Sequence, residues 1–157
     1  MLRLFLFFPL LLLSQDVFTL PDEADHFVYA LTQELSKADK EVYIFSSKLN
    51  EYKLITTLKK LSKKKVPIHI ISSDLRNDEN KALYLNLLKG VHLYELVEHE
   101  DRVLQGSLLC IDDNRLYLSS DALDKVSLYN NYAFVLSKQT ACNFLFKGLI
   151  AKSTKIQ

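Results

Sequence analysis

The chain predicts an α/β domain with a mixed, mainly parallel central sheet and helices on both faces. Three observations carry that expectation: segments of helical and strand period alternate from Pro21 onward, the connections between them are short and polar, and the length of 157 residues suits one core. Apolar residues make up 48% of the chain and charged ones 25%, the balance of a folded protein rather than a disordered one. The net charge of +1 gives no global field toward nucleic acid or an anionic membrane.

The elements follow in order. Ala24, Phe27, Val28, Leu31, Leu35 and Ala38 fall on one face of a helix ending near Asp39 and Lys40. Glu41 to Ser46 is a β-branched and aromatic run of strand length. Asn50 is a suitable cap for a second helix carrying Leu54, Ile55, Leu58 and Leu61 on one face. Val66 to Ile71 reads as a buried strand with Pro67 at its start. Asn77 to Leu88 reads as a third helix closed by Gly90, and Val91 to Val97 as a third strand. The pattern then changes. Gly106 to Ile111 and Arg115 to Leu118 are apolar runs joined by the turn-forming Asp112, Asp113 and Asn114. Asn131 to Leu136 is a further strand, and Thr140 to Ala151 a closing helix through Phe144, Leu145, Leu149 and Ile150. The expected order is αβαβαβββα.

The N-terminus is of another kind. Arg3 precedes an apolar run from Leu4 to Leu13 that ends at Ser14, Gln15 and Asp16, a positive region followed by a short hydrophobic one. A run of about ten residues spans ~15 Å as a helix, roughly half of a hydrocarbon core. Residues 1–20 therefore read as a signal peptide or, extended through Val17, Phe18 and Leu20, as a signal anchor, and 21–157 as the domain. No small-x-small triplet follows Leu13. The expected location is exported, in the periplasm or cell envelope, with inner-membrane anchoring as the second form. In that compartment Cys110 and Cys142 are able to pair; as an alternative they are two buried thiols. No Cys/His cluster has metal-ligand spacing, so neither a metal nor a cofactor is expected.

Several phrases, taken together and in order, resemble the phospholipase D-like superfamily, most closely its single-domain bacterial endonuclease branch, over roughly residues 25–150. "ADKEVYIFSS" resembles the family's first strand, "LKKLSKKKVPIHIISS" its second helix and strand, and "LKGVHLYEL" the turn into the third strand. "VLQGSLLCIDDNRLYLSSDAL" matches the region where members carry His-x-Lys, four residues, Asp, and then Gly-Ser-x-Asn after a hairpin. On that pattern Gln105 stands at the histidine, Ser107 at the lysine, Asp112 at the aspartate, Ser119 and Ser120 at Gly-Ser, and Ala122 at the asparagine. In "YNNYAFVL" Tyr132 replaces the glutamate of an Asn-Asn-Glu segment.

The resemblance implies a reaction in which a histidine nitrogen attacks a phosphodiester, and glutamine has no basic nitrogen to do so. The lysine of the pattern supplies positive charge to the developing oxyanion; Ser107 offers one neutral hydrogen bond. Losing the nucleophile alone costs on the order of 10⁶ in rate. No catalytic residue is therefore expected, and the degenerate positions are Gln105, Ser107, Asp112, Ser120, Ala122 and Tyr132. Asp112, Ser119 and Ser120 remain candidates for holding a phosphate-containing ligand, lipid or nucleic acid. His99, with Asp101 two residues on, does not rebuild a His-x-Lys pair; His26, His69 and His92 lie in or beside other elements. Asp112 is also explained by turn chemistry alone. The lysines at 59, 60, 63, 64 and 65 read as the solvated end of a helix or as a phosphate or lipid contact.

Family members of one domain pair so that two motif copies face each other, which implies a homodimer or a heterodimer with an active relative. The function expected is an exported, non-catalytic binding or subunit-partner module. A phosphodiesterase of nuclease or phospholipase D type with residual activity is the alternative, and a purely structural envelope component, with the old pocket filled by side chains, is a third.

Overall fold

A computed structural model describes residues 15–75, 78–96 and 106–156. Its elements run β1 (Gln15–Leu20), α1 (Ala24–Lys37), β2 (Val42–Ser46), α2 (Tyr52–Lys63), β3 (Ile68–Ser72), α3 (Ala82–Leu85), β4 (Val91–Leu96), β5 (Ser107–Ile111), β6 (Arg115–Ser119), α4 (Lys125–Asn130), β7 (Ala133–Gln139), α5 (Asn143–Ile150) and β8 (Ser153–Ile156).

The strands form one sheet in the order β1-β7-β6-β5-β2-β3-β4-β8. It is mixed, with helices on both faces. The expectation of a mainly parallel sheet holds only in its centre, where β2, β3 and β4 run parallel. Every other pairing is antiparallel. The reason is connectivity: helices cross over between β2, β3 and β4, whereas β5 and β6 are joined by a three-residue turn that forces reversal.

Alternation along β2 separates two cores. Val42 and Ile44 point to the inner face, where they pack with Phe27, Leu31 and Leu35 of α1 and Leu54, Leu58 and Leu61 of α2. Tyr43 and Phe45 point to the outer face, where Phe146 of α5 covers them with Ile71 and Leu116. Removing one such buried side chain, as in Leu31→Ala, would cost about 2–5 kcal/mol.

Several sequence expectations shift. Asn50 does not cap α2. Glu51 does, its carboxylate accepting from Leu54 N–H at 2.8 Å, while Asn50 Oδ1 accepts from Lys125 N–H at 2.8 Å and helps to start α4. Of the helix expected over Asn77–Leu88, Asn77 lies outside the described residues, and the described helix covers only Ala82–Leu85, with Asn80 holding the described residues before it as a loop. Its amide donates to the carbonyls of Ser47 and Asp74 and lies 3.0 Å from Ser72 Oγ. Strands β1 and β8 and helix α4 carry no periodic signal of their own and form through tertiary pairing.

Strand β1 also bears on the N-terminus. The boundary at residue 20 placed Gln15–Leu20 outside the domain, yet these residues pair with β7 from Gln15↔Lys138 to Leu20↔Ala133, and Phe18 and Leu20 are buried. In the described structure Gln15–Leu20 thus belong to the folded domain, with Phe18 and Leu20 in its core. Residues 1–14 lie outside the described part. No described helix is long and apolar enough to cross a membrane.

Candidate functional site

The parallel strands β2 and β3 end on one edge of the sheet, and there antiparallel β5 begins and β6 ends. Ser46, Ser72, Ser107 and Ser119, the terminal residues at that edge, all lie on the inner face by strand alternation. Ser46 pairs with Ser107, and Ser107 with Ser119, in register. A row of hydroxyls therefore occupies this edge, and it includes Ser107, which the resemblance sets at the lysine.

That row is closed by internal bonds. Ser107 is buried, and its Oγ lies 3.0 Å from Ser46 Oγ and 2.9 Å from the Asp121 carbonyl, so its single proton serves one of the two. Ser46 Oγ donates to the Lys48 carbonyl and accepts from Leu123 N–H at 2.9 Å. An isolated bridge joins Leu49 to Leu123 in parallel, and both side chains are buried. The loops after β2 and β6 are thereby stitched over the strand ends. Phe27, Leu31, Tyr117 and Val135 line the small space beneath Ser107 and Ser119, a floor without charge.

The remaining sequence-predicted positions scatter. Gln105, His99 and Asp101 lie outside the described residues. Gly106, at φ +92°, is held so close to the Ser119 carbonyl that a Cβ would collide with it. Ser119 Oγ accepts from Asp121 N–H at 3.2 Å, and Ser120 Oγ from Phe134 N–H at 3.0 Å. Ala122 is buried. Tyr132, which the resemblance sets at the glutamate, is 93% exposed. Asp112 is not at this edge at all: it follows β5 at the opposite end, a strand length of roughly 17 Å from Ser107. With φ +53°, its carboxylate accepts from the backbone N–H groups of Asp39, Lys40 and Glu41 at 2.9–3.3 Å. That is the turn role which its chemistry suggested.

Sequence reasoning missed the acidic loop beside the row. Asp124 caps α4, accepting from Val126 and Ser127 N–H, and Ser127 Oγ lies 2.7 Å from Asp124 Oδ2 and 3.0 Å from Asp121 Oδ1. Asp121 Oδ2 takes the Asn131 amide at 2.8 Å. The Asp-x-x-Ser spacing of Asp124 and Ser127 was the available signal for this cap. These carboxylates are spoken for internally and present a negative rather than a positive site to a phosphate.

Other clusters lie elsewhere. Cys110 and Cys142 form a disulfide with Cα atoms 5.8 Å apart, fixing the start of α5 to β5; Asp113 lies beside them and accepts from the N–H groups of Cys142 and Asn143. These hydrogen bonds hold the Asp113 carboxyl below the usual range. The three form the one His/Cys/Asp/Glu group of metal-ligand compactness among the described residues, but both sulfurs are consumed by the bond. Under α5, His69 stacks between Tyr43 and His92, with ring centroids 4.5 and 4.9 Å away. Burial lowers the His69 pKa, with His92 adding to it. Burial and a hydrogen bond to Glu41 push Tyr43 up to about 12. The lysine run stands at the C-terminal end of α2, exposed, with Lys64 Nζ on the Ser36 carbonyl, where cations complement the helix dipole. It is remote from the serine row, which faces the start of that helix.

The solved structures show the same architecture. NucT from Helicobacter pylori superposes with a TM-score of 0.80 at 17% identity, covering 90% of this chain and 98% of its own. Nuc from Salmonella typhimurium, a phospholipase D family member, gives 0.73 at 13% identity, covering 92% and 98%. The archaeal chromatin protein TrmBL2 gives 0.63 at 17% identity, covering 94% of this chain and 57% of its own. No curated protein matches the sequence. The family model described as "Cardiolipin synthase, PLD-like domain" matches residues 31–143, which span β2 to β7 and the closed serine row, and the chain belongs to that phospholipase D-like family.

Proposed function

We propose that this chain is a non-catalytic phospholipase D-like module, exported to the cell envelope, that works by docking a partner rather than by cleaving a phosphodiester. The observation that carries the reading is the fate of Ser107. The position at which the family pattern has a cation holds a buried neutral hydroxyl, locked against Ser46 beneath the Leu49–Leu123 seam. Phosphoryl transfer is catalysed by placed positive charge and a nucleophile, and the described part of this edge offers neither.

The rim of the closed edge supports docking. Tyr52 is 78% and Tyr132 93% exposed, and Val126 is 52% exposed. The contacts of Asn50 with Lys125, and of Asn131 with Asp121, bring them around one loop cluster. Exposed aromatics of this kind serve as interface anchors. The partner is a second copy of this chain or an intact relative of the same family. Retention of the N-terminal segment is favoured by the start of the fold at Gln15 and by the absence of a small-x-small triplet before it.

Sedimentation of the full chain in detergent, alone and mixed with an intact phospholipase D-like relative from the same genome, tests the reading. It expects a dimer in one of the two samples, weakened at least tenfold by Tyr132→Ser combined with Val126→Ser. A monomer in both samples, or association indifferent to these substitutions, contradicts it.

A further inference from the structure

Sheets built around parallel strands usually bury both faces. Here α5 covers the outer face only in part. One cross-strand row on that face runs Val17, Leu136, Leu118, Leu108 and Phe45 through successive register partners. Phe45 lies under α5, fully buried. Toward β1 the cover ends: Leu118 and Leu136 are part-exposed, Val17 is 54% exposed and Phe134, two residues along β7 on the same face, 66%. Lys138 follows on that face, paired with Gln15.

What precedes β1 in the chain identifies the occupant. The apolar run Leu4–Leu13 ends two residues before Gln15, at the border of this open strip. A run of about ten residues is roughly half of what a bilayer core requires, and a single shallow signal gives only marginal attachment, so stable association takes two. The strip is suited to be the second. Its four apolar side chains and flanking lysine add a second, shallow contact to that of the inserted segment.

We propose that the open outer face of β1, β7 and β6 is a lipid-contact surface, with Val17, Leu118, Phe134 and Leu136 resting on the bilayer next to the N-terminal segment. This rests on the reading that the segment is retained and holds the exported protein at the membrane. The domain then stands with its β1 edge on the lipid and α3 at the far side.

The chain contains no tryptophan, so single replacements report cleanly. Full-length Phe134→Trp, Val17→Trp and, as a reference on α3, Tyr84→Trp are reconstituted with phosphatidylcholine–phosphatidylglycerol vesicles carrying brominated acyl chains. Emission from Phe134→Trp and Val17→Trp is expected to fall at least twofold relative to unbrominated vesicles, with Tyr84→Trp unchanged. Protein that floats with the vesicles while Phe134→Trp stays unquenched overturns the lipid surface alone, and a dimer under those conditions identifies a second copy as the occupant instead. Protein that does not float overturns the retained-segment reading and the surface with it. A second variant, Val17→Ser with Phe134→Ser, is expected to lower vesicle partitioning at least fivefold with an unchanged melting temperature; unchanged partitioning overturns the proposal.

Discussion

Ser107 Oγ lies 3.0 Å from Ser46 Oγ across the β5–β2 pair, and this contact ties into the fold the residue that the resemblance sets at the family's lysine. A lysine at 107 would have to bury an ammonium among Ser46, Leu123 and the apolar side chains beneath, or open the seam. Gln105→His with Ser107→Lys is therefore expected to give no phosphodiesterase turnover and to lower stability by about 2–4 kcal/mol. Urea denaturation beside a bis-p-nitrophenyl phosphate assay checks both halves, and a stable, active double variant would show that closure is not the obstacle.

Asp112 has a structural task at the other end of β5. Asp112→Ala removes the acceptor of three backbone N–H groups at residues 39–41 and places alanine at φ +53°. A loss of about 1–3 kcal/mol is expected, with Asp112→Asn retaining part of it. Equal stability of Asp112→Ala and the parent in chemical denaturation would contradict this role.

The Cys110–Cys142 bond closes a loop with a sequence separation of 32. Chain-entropy reasoning gives it about 3–4 kcal/mol, fully lost on reduction. Thermal melts with and without reductant should differ by several degrees, and Cys142→Ala should match the reduced parent. An oxidised and a reduced protein that melt together would argue against the bond as a stabilising tie.

Acid should weaken the outer core. His69 is held below its usual range by burial, with His92 adding to it and Glu41 opposing; Tyr43, Tyr94 and Lys155 also face this group. With a depressed histidine pKa the folded state binds fewer protons than the unfolded one. Stability is then complete above the unfolded value of about 6.5 and falls as the pH drops through it. Melting temperature followed from pH 8 to 5.5 should fall in the parent and fall less in His69→Phe, which keeps the ring and removes the titration. Parallel curves would contradict the assignment. Asp113, whose pKa is lowered by its backbone bonds at α5, acts with the same sign but in a lower window, its contribution lost as pH falls below about 4.

Much of the fold was legible because α1, α2, β2 and β3 bury residues at their own helical or strand period, as with Phe27, Leu31 and Leu35 or Val42 and Ile44. Elements stabilised from outside were not. β1 and β8 are edge strands, held respectively by β7 and β4, and α3 is shortened by the Asn80 amide, a contact that no local pattern announces. The resemblance to a His-x-Lys pattern rests on residue types at a spacing, whereas the closure of the strand ends was not legible. That closure depends on the Leu49–Leu123 bridge and the Ser46–Leu123 bond, which join segments more than 70 positions apart.

The central claim is that this chain keeps the phospholipase D-like scaffold without its reaction, and single-turnover hydrolysis with protein in excess tests it most directly. Purified full-length chain incubated with bis-p-nitrophenyl phosphate, DNA, RNA and cardiolipin is expected to release product no faster than a Ser107→Ala control, at the background rate. Product above background that disappears on replacing His99 or Asp112 would contradict the account.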